Sequence, residues 1–130
     1  GPIPIYNPCL RIKTNNVFLV GDAATQVKST TYGGIVQALM ASSMLAKAIT
    51  ERKHYKACLK ALNKELLLSL IIRRIINKMS LKEIENLCAL LSNENLKKAL
   101  STYTRDEPGK LLKHLLIKKP TLLKLVTYLF

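Results

Sequence analysis

Apolar and polar positions alternate in three distinct ways along the 130 residues of this chain. Residues 1 to 20 read as extended. Prolines at 2, 4 and 8 forbid a helix, and Val17-Phe18-Leu19-Val20 is a short apolar run of buried-strand type. Asn15-Asn16 predicts a turn, with a partner strand over Leu10 to Lys13. After Asp22 the chain is polar and rich in hydroxyls as far as Tyr32. From Gly34 the spacing becomes helical. Ile35, Leu39, Leu45 and Ile49 are expected to share a buried side, with Gly34, Ala38, Ala41 and Ser42 small enough for close backbone approach. A long helix follows from about Lys53 to Met79, with Tyr55, Leu59, Leu62, Leu66 and Leu70 on its apolar face. Lys53, Lys56, Lys60 and Lys64 repeat at the same spacing on another face. Ser80 with Glu83 has the form of a capping box and predicts a helix to about Leu91. Asn93 starts a short fourth helix, Asp106 with Pro108 a fifth, and Pro120 interrupts the last segment. No internal repeat is present.

A chain of this length holds one domain with a real core, and two large domains do not fit. Its 21 basic and 8 acidic residues give a net charge of +13, which favours anionic partners. Trp is absent and the few rings are not interleaved with basic clusters, so a base-stacking platform is disfavoured and no nucleic-acid motif is found. Cys9, Cys58 and Cys88 are odd in number and widely spaced, which suits three reduced thiols rather than a disulfide framework or zinc site. The run from Leu66 to Ile72, broken by Ser69, is far short of the roughly 20 residues of a membrane-spanning helix. No signal-peptide pattern opens the chain, and Gly1 in place of Met suits a processed product or an excised piece.

The chemistry concentrates between residues 17 and 35. A carboxylate at the end of a strand, Asp22, accepts hydrogen bonds well from neutral hydroxyls and repels phosphate, so a polyol suits it. Gly21 leaves room for a ligand against the backbone. Equally, a Gly-Asp pair there serves as a turn that caps the next segment. Twelve residues on, Gly33-Gly34-Ile35 opens a helix whose first N–H groups lack internal partners and carry partial positive charge. Such donors suit the electron-rich pyrimidine edge of a flavin, with Ile35 as an apolar shoulder; tight helix–strand packing is the plainer use of the same glycines. Taken together, the two elements fit the riboflavin half of a bound FAD. No glycine-rich phosphate turn precedes residue 17, so the adenine and pyrophosphate half has no counterpart.

The same residues carry a family likeness. Gly1-Pro2-Ile3-Pro4, Asn16 through Ala24, Gln26-Val27-Lys28 and Thr30-Thr31-Tyr32-Gly33-Gly34-Ile35 resemble the C-terminal portion of FAD-dependent geranylgeranyl reductases. The archaeal enzymes that saturate the isoprenoid chains of membrane lipids are the nearest in pattern, roughly GDAAGQVKPTTGGGI. The likeness continues more weakly through Tyr55, Lys64-Glu65-Leu66, Leu70 to Arg74 and Lys119-Pro120. It implies an α+β fold of the GR2 flavoprotein type, with short N-terminal strands completing an FAD-binding and substrate domain. Residues 1–52 would belong to that domain and 53–130 to a mainly helical C-terminal region. It also implies FAD as cofactor, with Asp22 on the ribityl chain and Gly34 and Ile35 on the flavin. Thr25, Ser29 and Tyr32 depart from the pattern, standing where it has Gly, Pro and Gly. The side chain of Tyr32 bears on cofactor affinity more than on fold.

By the same resemblance the expected activity is reduction of C=C bonds in geranylgeranyl chains, by hydride from reduced flavin and then protonation. The expected partners are a prenylated lipid substrate, an N-terminal FAD-binding half on another chain, and an anionic membrane surface reached from the cytoplasm, with no nucleic acid. Leu66 to Ile72 suits a core helix, a prenyl tunnel wall or a membrane face. The lysine stripe and Arg73-Arg74 suit either lipid phosphates or plain solvation. Lys110, Lys113, Lys118, Lys119 and Lys124 among leucines suit an interfacial helix. His54 and His114 lack partners at motif spacing, and no catalytic acid is assigned. The alternative from another class is a repurposed basic helical module that binds membrane surfaces or proteins without catalysis.

Overall fold

The computed structural model describes residues 2–92 together with Glu94, Gly109 and Ile117. The fourth and fifth helices, the Pro120 break, His114 and the basic run from Lys110 to Phe130 lie outside the described residues. The chain divides into two compact units, Gly1–Leu70 and Ile71–Phe130. The described residues are mostly helical, with two short antiparallel strands.

In the first unit β1 (Lys13–Thr14) pairs with β2 (Val17–Phe18), Lys13 opposite Phe18 and Thr14 opposite Val17. Asn15-Asn16 is the two-residue turn, and Asn15 takes the left-handed conformation at φ 49° that Asn tolerates. Leu19 N–H adds a bond of 2.9 Å to Ile12 O. The turn therefore stands where the pattern predicts it, but the partner strand is Lys13–Thr14 rather than Leu10 to Lys13, and β2 is not a buried strand. Val17 is 65% exposed, and Phe18, Leu19 and Val20 are half-buried. An isolated two-stranded ribbon has no second sheet layer to cover its outer face.

Gly21–Ala24 forms a single turn of 3-10 helix and leads, through the loop to Gly33, into α1 (Ile35–Thr50). The buried side of α1 departs from the expectation at Ile35, Leu39 and Ile49, while Leu45 packs half-buried against the core. Ala41 and Ala48 are buried with Gln37, whereas Ile35, Leu39 and Ile49 are exposed. Close approach explains the departure. A β-carbon added at Gly21 would lie 3.2 Å from Ala38 Cβ, so the turn lies almost on the helix surface and only small residues fit beneath it. α1 ends in a Schellman motif, with Lys53 N–H bonding Ala48 O at 2.8 Å and Arg52 N–H bonding Ile49 O at 3.3 Å. Arg52 occupies the left-handed position at φ 51° that usually belongs to glycine. Beyond it, Glu51 pairs with Lys53 and, at 3.9 Å, with Lys47.

The expected long helix is present in two pieces, α2 (Tyr55–Cys58) and α3 (Lys60–Lys78), loosened at Leu59. Its apolar face is as the spacing predicts. Tyr55, Leu59, Leu62, Leu66 and Leu70 are all buried and form the core with Tyr6, Ala41 and Ala48. Lys53, Lys56, Lys60 and Lys64 are exposed. Ser69, which breaks the apolar run, is fully buried and hydrogen-bonded to Thr30 through both the backbone N–H and the hydroxyl, each at 3.1 Å.

In the second unit α4 (Leu81–Leu91) begins at the predicted box. Ser80 N–H donates to Glu83 Oε2 at 2.8 Å, and the Ser80 hydroxyl donates to the same oxygen at 2.6 Å. Among the described residues no helix is long and apolar enough to cross a membrane.

Candidate functional site

The turn after β2 is held from below by one buried side chain. Gln26 is 1% exposed. Its Oε1 accepts the Gly21 N–H at 2.7 Å while its own N–H donates to Gly21 O at 3.0 Å. Its Nε2 donates to Tyr55 Oη at 3.4 Å, and the Tyr55 hydroxyl donates to Leu19 O at 3.3 Å. The Tyr55 ring packs edge-on to Phe18 with centroids 5.8 Å apart. Burial pushes the Tyr55 phenol above its ordinary range, offset in part by the Gln26 contact. Burial raises Tyr6 likewise. The network fixes Gly21 at φ +67°, a left-handed conformation that glycine adopts without strain. Asp22, next in sequence, is thereby turned outward and is exposed.

The following loop closes on itself. Thr25 N–H bonds Asp22 O at 2.9 Å, Lys28 N–H bonds Gly33 O at 3.0 Å, and Tyr32 N–H bonds Lys28 O at 2.9 Å. With Thr30 fastened to Ser69, the loop brings Gly34 back beside Asp22. A β-carbon at Gly34 would sit 2.9 Å from Asp22 Oδ1 and 3.2 Å from Val27 Cγ2, and Val27 is fully buried. Gly34 is the N-cap of α1, no side chain caps that helix, and its first turn carries no acid. The site therefore places an exposed carboxylate against a helix start. Orphan N–H donors and a partial positive charge stand there. Ile35, 81% exposed, adjoins both.

Asp22 and Gly34, twelve residues apart in sequence, are thus brought into contact, with Ile35 at the edge of the same feature. Gln26 and Tyr55 carry the site and were not singled out for it by the pattern. Their signal was a polar residue two positions after a small-residue turn and a tyrosine heading an apolar helix face. Two positions that depart from the family pattern are also distinctive in the backbone. Thr25 and Tyr32, which replace glycines, have φ of 54° and 55°. For Thr25 the left-handed form is costly because of its branched β-carbon, and its hydroxyl accepts the Asn7 N–H at 2.9 Å. Ser29, in place of proline, is fully buried, and its hydroxyl has no partner. Among the described residues no group of three His, Cys, Asp or Glu side chains could hold a metal ion.

Comparison with curated proteins returns two archaeal reductases. A digeranylgeranylglycerophospholipid reductase 2 of Methanopyrus kandleri is 30% identical over 99% of this chain. A digeranylgeranylglycerophospholipid reductase of Methanocaldococcus jannaschii is 33% identical over 95% of it. The chain fits a C-terminal portion of such a reductase. It spans about a third of the length of these relatives, 35% of one and 33% of the other. No family model matches the chain. No solved structure matches it either.

Proposed function

We propose that the chain acts as the C-terminal part of a flavin-dependent reductase that saturates C=C bonds of geranylgeranyl chains in membrane-lipid synthesis. The observation that carries this reading is the contact between the Asp22 carboxylate and Gly34 at an uncapped helix start. The arrangement suits FAD. Asp22 would accept hydrogen bonds from ribityl hydroxyls, which a carboxylate binds better than a neutral acceptor does. The N–H groups at Gly34 and Ile35 would meet the electron-rich edge of the ring. Ile35 would cover an apolar side of ring or prenyl chain. FAD, when bound, supplies the hydride for the double bond. The protein's part is to orient the ring against the chain and exclude water. The strands, the turn and α1 would complete an FAD-binding domain, with residues 53–130 as the helical region beyond it.

Adenine and pyrophosphate contacts would come from the part of the relatives outside the matched third. The test joins the N-terminal two-thirds of the Methanocaldococcus jannaschii relative to this chain in one polypeptide. The purified protein is expected to be yellow, and Asp22→Ala is expected to bleach it. A folded, colourless protein would contradict the reading.

The exposed stripe Lys56, Lys60 and Lys64 favours a second reading, a basic module at anionic membrane surfaces. It also supports a peripheral cytoplasmic location for the reductase. Binding to vesicles of anionic phospholipid should then fade as salt screens the attraction, with or without flavin.

A further inference from the structure

The outer face of α1 is the least explained surface of the first unit. Ten residues of α1 are exposed, and Lys47 alone among them is charged. Ile35 (81%), Leu39 (67%) and Ile49 (58%) line its centre, with Val36 and Met40 flanking them and Ser42 and Ala46 between. At 100° per residue these positions fill one continuous side of the helix, opposite Gln37, Ala41 and Ala48. Large apolar side chains gathered on one side are the mark of a covered surface. The small residues between them admit close approach of a second backbone.

We propose that this face is the docking surface for the body that the reductase relatives carry outside the matched third. The inference rests on reading the chain as the C-terminal portion of such an enzyme. About two-thirds of each relative's length lies outside the match, enough for a domain that seats a 16-residue helix. The face begins at Ile35, beside Asp22 and Gly34, so a body seated on α1 also closes the open side of the site. Charge separates this occupant from others. An interfacial helix on anionic lipid carries cations along its polar flank, whereas α1 has none before Lys47. A second copy would bring together two chains of net charge +13, which repel each other.

The test reads thiol alkylation, peptide by peptide, at Leu39→Cys and Ile49→Cys, with Lys64→Cys on α3 as the exposed control. Rates are measured in the 130-residue chain alone and co-expressed with the N-terminal two-thirds of the Methanocaldococcus jannaschii relative, in flavin-free buffer. Docking predicts at least a tenfold fall at both α1 positions and no change at Lys64→Cys. Equal rates with and without the partner overturn the proposal. So does protection already present in the chain alone that strengthens with its concentration, which marks self-association. Protection conferred only by anionic vesicles also overturns it. Protection in a complex that stays colourless when FAD is added leaves docking intact and removes the flavin reading instead.

Discussion

Two helices of the first unit treat the same kind of residue in opposite ways. In the part of α3 from Leu62 to Leu70, Leu62, Leu66 and Leu70 point inward and Lys64 outward, so this apolar face is covered by its own chain. In α1 Ala41 and Ala48 point inward and Ile35, Leu39 and Ile49 outward. Both helices are amphipathic by spacing, but only one has its large face covered. What decides is the Gly21–Ala24 turn, which lies so close to α1 that Ala38 Cβ is 3.2 Å from where a β-carbon would stand on Gly21. Contact with the turn is made by the small Ala38, and Leu39 and Ile49 are left on the other side, while Met44 and Leu45 pack half-buried against the core.

The contrast predicts unequal costs for equal truncations. Leu66→Ala, at a position 1% exposed, should cost about 2–5 kcal/mol in urea unfolding, the range for a buried leucine. Leu39→Ala, 67% exposed, should stay within about 0.5 kcal/mol, as surface changes do. Equal losses would erase the distinction. Ala41→Leu tests the small side of α1, where Ala41 is fully buried. Overpacking there should cost about 1–3 kcal/mol, while the same enlargement at the exposed Ala46 should do little.

Tyr55→Phe removes a hydroxyl that gives to Leu19 O and receives from Gln26. A loss of about 1–3 kcal/mol is expected from the buried groups left unpaired. The pH dependence has a definite sign. The folded pKa of Tyr55 is raised above its usual value of 10.0, mainly by burial. Its contribution is therefore complete below pH 10 and is lost as pH rises through the folded value. Thermal melts across the alkaline range should show a falling limb that Tyr55→Phe flattens, with Tyr6, raised by burial, and Lys53, raised by its bond to Glu51, contributing to what is left. The one stabilising change is expected at the end of α1. Arg52→Gly should stabilise by about 0.5–1 kcal/mol, because glycine takes the left-handed position without strain.

How much of this could be read from residues alone differs along the same line. The hairpin turn at Asn15-Asn16, the Ser80–Glu83 box and the face from Tyr55 to Leu70 are local or periodic features, and each stands where its pattern puts it. The buried side of α1 is a tertiary property. Leucines and isoleucines at helical spacing say that a face is apolar, and they do not say what covers it. The meeting of Asp22 with Gly34 followed from a strand end, a loop and a helix start in order. The partners that hold the meeting in place did not. Gln26 and Tyr55 are 29 residues apart and Thr30 and Ser69 are 39 apart, and no local pattern links them. The left-handed Thr25 and Tyr32 were visible only as departures from glycine, and the backbone angles give those departures a physical meaning.

The central claim is that Asp22, set against Gly34, grips the ribityl end of a flavin. The most direct measurement is the FAD dissociation constant of the joined polypeptide carrying Asp, Asn or Ala at position 22. A charge-assisted hydrogen bond contributes about 1.5–3 kcal/mol, so affinity should fall roughly tenfold or more from Asp to Ala. Asn, which keeps an acceptor and loses the charge, should lie between. Equal affinity in all three proteins, each folded, would contradict the account.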